Sequence, residues 1–171
     1  MPVGRDEDSF ADFARARLPA LLRYAYLLCG NRATAEDVVQ LTLARTYAAW
    51  PGVRTKANPE AYVRRAIVNA FFNRRRRPIR EHPVADVPDI AAPQDAVHRY
   101  DEQAAMWSAL GELPDRQRAV LVLRYYEDLT EAEIAATLGC SLGTVKSQAS
   151  RGLDKLRRAL RLPDEGKVRP S

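Results

Sequence analysis

The stretch that most restricts the fold is LTEAEIAATLGCSLGTVKSQASRGLDKLRRAL, residues 129–160. It fits two short helices joined by a tight turn. Thr130 stands where a helix N-cap belongs, and Glu133 three residues on completes the capping-box pattern. Ile134, Ala135 and Leu138 then mark an apolar stripe, and Gly139 sits where a left-handed helix stop is wanted. Ser141 is placed to cap the second helix. Along that helix Leu142, Val145, Ala149, Leu153, Leu156 and Leu160 recur at three- and four-residue steps, which is one helical face. The opposite face carries Gly143, Thr144, Ser147, Ser150 and Arg151, with Lys146 and Gln148 on its flanks. Small residues let a helix approach a DNA groove, and hydroxyl, amide and basic groups meet phosphates and base edges. The pattern predicts a DNA-binding helix-turn-helix. An ordinary helical hairpin with a solvated polar face shares the periodicity. It does not call for the order of cap, short helix, glycine turn and basic second helix.

The rest of the chain also reads as all-α. Alanine, leucine and arginine are abundant, only 8 of 171 residues are glycine, and no strand-like alternation persists. The length suits one large or two small domains. No apolar run approaches the roughly 20 residues that span a bilayer, and MPVGRDEDSF lacks the apolar core of a signal peptide. Cys29 and Cys140 stand singly, without zinc or disulfide spacing, as expected of reduced cysteines in a cytoplasmic protein. No metal site and no cofactor are expected.

Charge divides the chain in three. Residues 1–77 hold 14 basic and 7 acidic side chains, residues 78–104 hold 2 and 6, and residues 105–171 hold 11 and 9. A basic front and a mildly basic back separated by an acidic middle suggest two nucleic-acid-facing domains and a different kind of joint. Pro78, Pro83, Pro88 and Pro93 lie five apart in that middle, so no useful helix fits between them. Residues 78–103 therefore read as a semi-stiff linker that reaches up to about 85 Å at full extension. His82 and His98 lie in or beside it with no catalytic pattern around them and are expected to be solvated.

The front domain reads as three or four helices. Phe10, Phe13, Leu18, Leu21, Leu22, Ala25 and Leu28 mark one face, with Pro19 expected to start or kink a helix. Gly30 and Asn31 end this segment. Thr34 then reads as a cap, with Asp37 at the capping-box position. Val38, Val39, Thr42, Leu43, Thr46 and Tyr47 point inward by spacing, leaving Glu36, Asp37, Gln40 and Arg45 outside. PGVRTKANP, residues 51–59, reads as a polar, basic loop with Arg54, Lys56 and Asn58. In EAYVRRAIVNAFFNRRRR, Tyr62, Val63, Ala66, Ile67, Ala70 and Phe71 form the core stripe. Asn69, Asn73 and the run Arg74, Arg75, Arg76 and Arg77 decorate the remainder. Four consecutive arginines at a helix end favour phosphates.

With these pieces placed, the chain resembles a bacterial RNA polymerase sigma factor of the extracytoplasmic-function class. TAEDVVQLTLARTYAAW and EAYVRRAIVNAFFNRRRR resemble two successive helices of the family's region 2. The stretch LPDRQRAVLVLRYYEDLTEAEIAATLGCSLGTVKSQASRGLDKLRRAL resembles region 4, with EIA, GTVKS and SRG in order. The resemblance spans about residues 9–162. It implies a region 2 domain over residues 9–77, an acidic linker over 78–103, a region 4 domain over 104–162 and a tail over 163–171. The SRG spacing and short tail are similar to an actinobacterial subgroup.

The resemblance assigns roles to residues. It implies docking of the 35–40 helix on the clamp helices of the polymerase largest subunit, through Glu36, Asp37 and Gln40. The loop over 52–58 would hold a flipped base of the −10 element's non-template strand with Arg54, Lys56 and Asn58. Asn69, Asn73 and Arg74 to Arg77 would hold the melted strand and upstream duplex. The acidic linker would thread the polymerase active-site and exit channels. Residues 141–158 would enter the major groove of the −35 element through Thr144, Lys146, Ser147, Ser150 and Arg151, with Arg116 and Arg124 as backbone clamps. Core polymerase, including its flap, and promoter DNA are the implied partners; an anti-sigma factor is a further one, and no membrane is implied. Asn73 stands where the family commonly has an acid, and Leu41 where it commonly has a glutamate.

Two rivals from other classes fit less of the chain. A self-sufficient repressor or response-regulator output domain shares the GTVK-type helix-turn-helix but leaves the arginine run and the AEDVVQ helix without a role. A nucleic-acid enzyme needs carboxylates converging on a metal or a Cys/His zinc set. The sequence offers neither, and no enzymatic activity is expected.

Overall fold

The computed structural model describes residues 3–76 and 100–161, all of them helical or in short connections. The chain divides into two compact units, Met1–Pro93 and Gln94–Ser171. In the first unit α1 (Val3–Cys29), α2 (Arg32–Ala48), α3 (Trp50–Val53) and α4 (Pro59–Arg76) pack as a bundle. Leu21, Tyr24, Ala25 and Leu28 of α1 close on Val38 and Val39 of α2 and on Val63, Ile67 and Phe71 of α4, all buried. Burying a large apolar side chain stabilises the fold by roughly 1.5–3 kcal/mol. That is ample to hold α1 helical through Pro19, which lies exposed inside it rather than starting a new helix. Gly30 ends α1 with φ 77°, its N–H donating to the Tyr26 carbonyl at 3.0 Å.

Three further local expectations change in this unit. The cap of α2 is Asn31, whose Oδ1 accepts from the Thr34 N–H at 2.8 Å; Thr34 itself lies inside the first turn. Both residue types cap well, and Asn31 takes the position because Gly30 turns the chain just before it. Tyr47 and Tyr62 point outward, 47% and 37% exposed, since each has a hydroxyl or ring edge that water and polar neighbours satisfy. The polar loop opens with the helical turn α3, which buries Trp50 and Val53. Phe10 and Phe13 complete a cluster there, with ring centroids 5.4 and 5.0 Å from Trp50.

The second unit contains α5 (Tyr100–Glu112), α6 (Asp115–Leu121) with its π-helical continuation Val122–Tyr126, α7 (Glu131–Leu138) and α8 (Leu142–Leu160). The last four residues of the expected linker thus form the first turn of α5. Its remainder, with His82 and His98, lies outside the described residues, as do the tail and Arg77 at the end of the expected first domain. Leu113, Val120, Leu121, Leu123, Ile134, Val145 and Ala149 form the core. Arg118 is buried with them, donating to the Leu113 carbonyl at 2.8 Å and to Asp115 Oδ1 at 2.7 Å. Those bonds compensate a charge that would otherwise be costly to bury.

Candidate nucleic-acid interface

The helix-turn-helix is built as its local chemistry dictates. Thr130 adopts φ −69°, ψ 159°, and its hydroxyl accepts from the Glu133 N–H at 3.2 Å while Glu133 Oε2 accepts from the Thr130 N–H at 2.7 Å. These bonds from Thr130 hold the Glu133 carboxyl below its ordinary pKa of 4.5. Gly139 ends α7 at φ 64°, its N–H reaching the Ala135 carbonyl, and Ser141 caps α8 by accepting from the Thr144 N–H at 3.1 Å. The two hydroxyls of Ser141 and Thr144 also meet at 3.0 Å. The angle between the two helices is therefore set by residues that satisfy their own backbone groups.

One face of α8 is committed to the core through Val145, Ala149 and Gly152. Gly152 escaped the sequence reading. A Cβ there would stand 3.0 Å from Leu121 Cδ1 and 3.4 Å from Gln117 Cβ, so the glycine lets α8 lie close on α6. A glycine in the middle of an amphipathic helix was the available signal. Leu142, expected on this buried face, is 49% exposed at the first position of α8. The other face leaves Gly143, Lys146, Ser147, Ser150 and Arg151 exposed, with Thr144 half-buried. Ser147 spends its hydroxyl hydrogen on the Thr144 carbonyl at 3.2 Å, which leaves its oxygen able to accept.

Arg124, Lys146 and Ser150 meet around a hollow of about 240 Å³ that Tyr125 and Arg157 also line. Glu131 lies between the cations, 3.3 Å from Arg124 and 3.9 Å from Lys146 of α8. The Arg124 guanidinium stands 5.5 Å from the Tyr125 ring centroid. Asp154 also lines the hollow and pairs with Arg157 at 3.7 Å, so its three cations are partly balanced by two carboxylates. The surface is small-featured, and its cations are exchangeable toward a phosphate backbone and base edges. Arg116 is exposed on α6 and is not among the residues that line the hollow.

In the first unit the candidate residues have defined partners. Arg54 pairs with Asp6 at 2.7 Å, and Lys56 Nζ stands 5.4 Å from the Tyr62 ring centroid. Asn58 caps α4, its Oδ1 accepting from the Ala61 N–H at 3.0 Å, so half of its amide serves the fold. Asn69 and Asn73 follow Arg65 at four-residue steps along an exposed strip of α4. Arg74 pairs with Asp37 at 3.3 Å and Glu36 with Arg32 at 2.7 Å, while Gln40 is half-buried. The resemblance assigns Asp37 to docking and Arg74 to DNA; the fold makes them neighbours. Arg75 and Arg76 continue the α4 backbone, and their side chains lie outside the described residues.

Among the described residues no group of three or more His, Cys, Asp or Glu is placed to hold a metal, and no helix is long and apolar enough to cross a membrane. Comparison with known proteins accounts for both units. Residues 13–80 match the family model Sigma-70 region 2, and residues 103–156 match Sigma-70, region 4. The RNA polymerase sigma-E factor of Streptomyces avermitilis is 38% identical over 156 residues, covering 91% of this chain and 87% of that protein. The ECF RNA polymerase sigma factor SigW of Bacillus subtilis is 28% identical over 170 residues, covering 91% of each. Among solved structures, the sigma factor RpoE in complex with the anti-sigma factor NepR from Bartonella quintana has a TM-score of 0.63 at 25% identity, covering 90% of this chain and 98% of that one. Two family models in the right order, on two helical units of which the second presents a cationic recognition helix, leave one assignment. The chain belongs to the sigma-70 family, in its extracytoplasmic-function class, and is a promoter-directing transcription initiation factor.

Proposed function

We propose that the two units read two promoter elements while held on core RNA polymerase. α8 lies in the major groove of the −35 element, with Lys146, Ser147, Ser150 and Arg151 toward DNA and Thr144 at the entry of the helix. Arg124, and Arg116 on α6, hold the flanking backbone. In the first unit Glu36, Asp37 and Gln40 dock on the clamp helices of the largest subunit. Their ion pairs with Arg32 and Arg74 are exposed and worth at most about 1 kcal/mol each, so a basic partner surface displaces them readily. The loop after α3 captures a flipped base of the −10 non-template strand, with unstacking offset by hydrogen bonds from Arg54, Lys56 and Asn58. Asn69, Asn73 and the arginines from Arg74 onward hold the melted strand.

The protein works in the cytoplasm as a non-catalytic regulator, the chemistry being the polymerase's. The likeness to RpoE, solved with NepR, supports an anti-sigma factor as a further partner, one expected to compete with core polymerase for these surfaces.

The observation that carries the reading is the division of α8 into a core face and an exposed face of small and cationic groups. Footprinting of the holoenzyme on a responsive promoter tests it. Arg151→Ala is expected to lose protection at the upstream element, and the Asn69→Ala, Asn73→Ala double variant to lose opening at the downstream one. Unchanged footprints in both would sink the assignment of sites.

A further inference from the structure

Three contacts tie the first turns of α1 to the segment from the end of α2 into the loop after α3. Tyr47 donates to Glu7 Oε1 at 3.1 Å, and Trp50 Nε1 donates to Ser9 Oγ at 3.3 Å. Arg54 Nη1 lies 2.7 Å from Asp6 Oδ1. Phe10 adds two ring contacts, its centroid 5.1 Å from Tyr47 and 5.4 Å from Trp50. The loop itself is a set of tight turns. Arg54 N–H reaches the Trp50 carbonyl at 2.8 Å, Lys56 N–H the Val53 carbonyl at 3.0 Å, and the Thr55 hydroxyl the Gly52 carbonyl at 3.0 Å. Its backbone is thus fixed from within, and the long Arg54 side chain is oriented from outside by an exposed carboxylate on a different helix, a bias worth at most about 1 kcal/mol.

Such a contact changes what an arginine does. An unrestrained guanidinium is a general cation that any phosphate attracts, and ordering it on binding sacrifices rotamer entropy of about 2 kcal/mol. With one N–H directed at Asp6, the planar fork has a set orientation and a partly neutralised charge, while its other donors stay available for a base edge. A neighbouring carboxylate therefore trades non-specific affinity for directional recognition.

We infer that Asp6 is a positioning residue for promoter-strand selectivity, holding Arg54 so that it reads a base instead of grasping phosphates indiscriminately. This inference rests on the reading of the loop after α3 as the base-capture loop. It assigns a role in DNA recognition to a residue near the start of α1, well outside the helix pair that carries the region 2 resemblance.

The test uses holoenzyme assembled from bacterial core polymerase and the full chain. The probe is a fluorescent single strand carrying the non-template −10 sequence of a mapped promoter, with a set of single-base variants. Asp6→Asn is expected to lower the affinity ratio of cognate to variant strands by up to about fivefold, the scale of one exposed ion pair. It is also expected to steepen the salt dependence by about 0.7 in log–log slope, as one further phosphate contact on a single strand requires. Asp6→Glu should restore both, and Asp6→Asn should add nothing in an Arg54→Ala background. A melting midpoint equal to the parent's shows that the brace still folds. An unchanged ratio and slope in Asp6→Asn, or the same change with Arg54 already removed, overturns the role of Asp6. If Arg54→Ala alters selectivity while Asp6→Asn does not, the loop reading stands and Asp6 alone falls. If neither variant alters it, both fall.

Discussion

Glu133 shows how one carboxylate writes itself into the stability of the recognition motif. Its charged form accepts the Thr130 N–H, which lowers its pKa in the folded protein below 4.5. A depressed carboxyl contributes stability that is fully present above its unfolded value and is lost as pH falls through the lower, folded one. Thermal melts taken below about pH 5 should therefore show the parent losing more stability than Glu133→Gln, whose amide still accepts the N–H but does not titrate. Equal pH profiles would mean that the capping box does not bear on folding. Arg118 is the opposite case, a cation nearly enclosed. Arg118→Met removes a buried charge and with it Asp115's cationic partner at 2.7 Å, so a loss of about 3 kcal/mol is expected, with Asp115→Asn in the same chain recovering part of it. At Gly139 the space around a Cβ is open and only φ 64° objects, so Gly139→Ala should cost about 1 kcal/mol by urea unfolding.

At the scale of elements, α8 succeeds because its two faces do different work. Gly152→Val should overpack the contact with Leu121 and cost about 1–3 kcal/mol, with binding at the upstream element lost as α8 shifts. Arg151→Ala should leave the melt unchanged and reduce the salt slope of duplex binding by about 0.9 if it meets one phosphate. These outcomes separate support of the helix from contact with DNA. The caps of α7 and α8 were legible beforehand because Thr130, Glu133, Gly139 and Ser141 act within one turn of themselves. Asn31 and Thr34 were confusable since both suit a cap, and only the geometry of Gly30 decides between them. Tyr47, Tyr62 and Leu142 fitted an apolar periodicity that does not register a tyrosine's polar neighbours or a helix's first exposed position. The brace from Asp6, Glu7 and Ser9 joins residues 40 to 48 positions apart, and no local pattern encodes it.

The whole molecule joins two helical units whose surfaces suit different jobs. The first ends in the strip of Asn69, Asn73 and Arg74, and the second in a helix that presents hydroxyls and cations. Each unit has its own buried core, so damage to one should leave the other folded, and Gly152→Val should leave the first unit's melting unaltered. Neither unit alone is expected to start transcription, because element spacing is read only when both are on the polymerase together. The most direct measurement is run-off transcription from genomic DNA fragments, using purified bacterial core polymerase with and without this protein. New start sites that share paired upstream elements at fixed spacing are the expected result, and they would supply the promoter sequence as well. No new transcripts, together with tight specific DNA binding by the protein alone, would contradict the account.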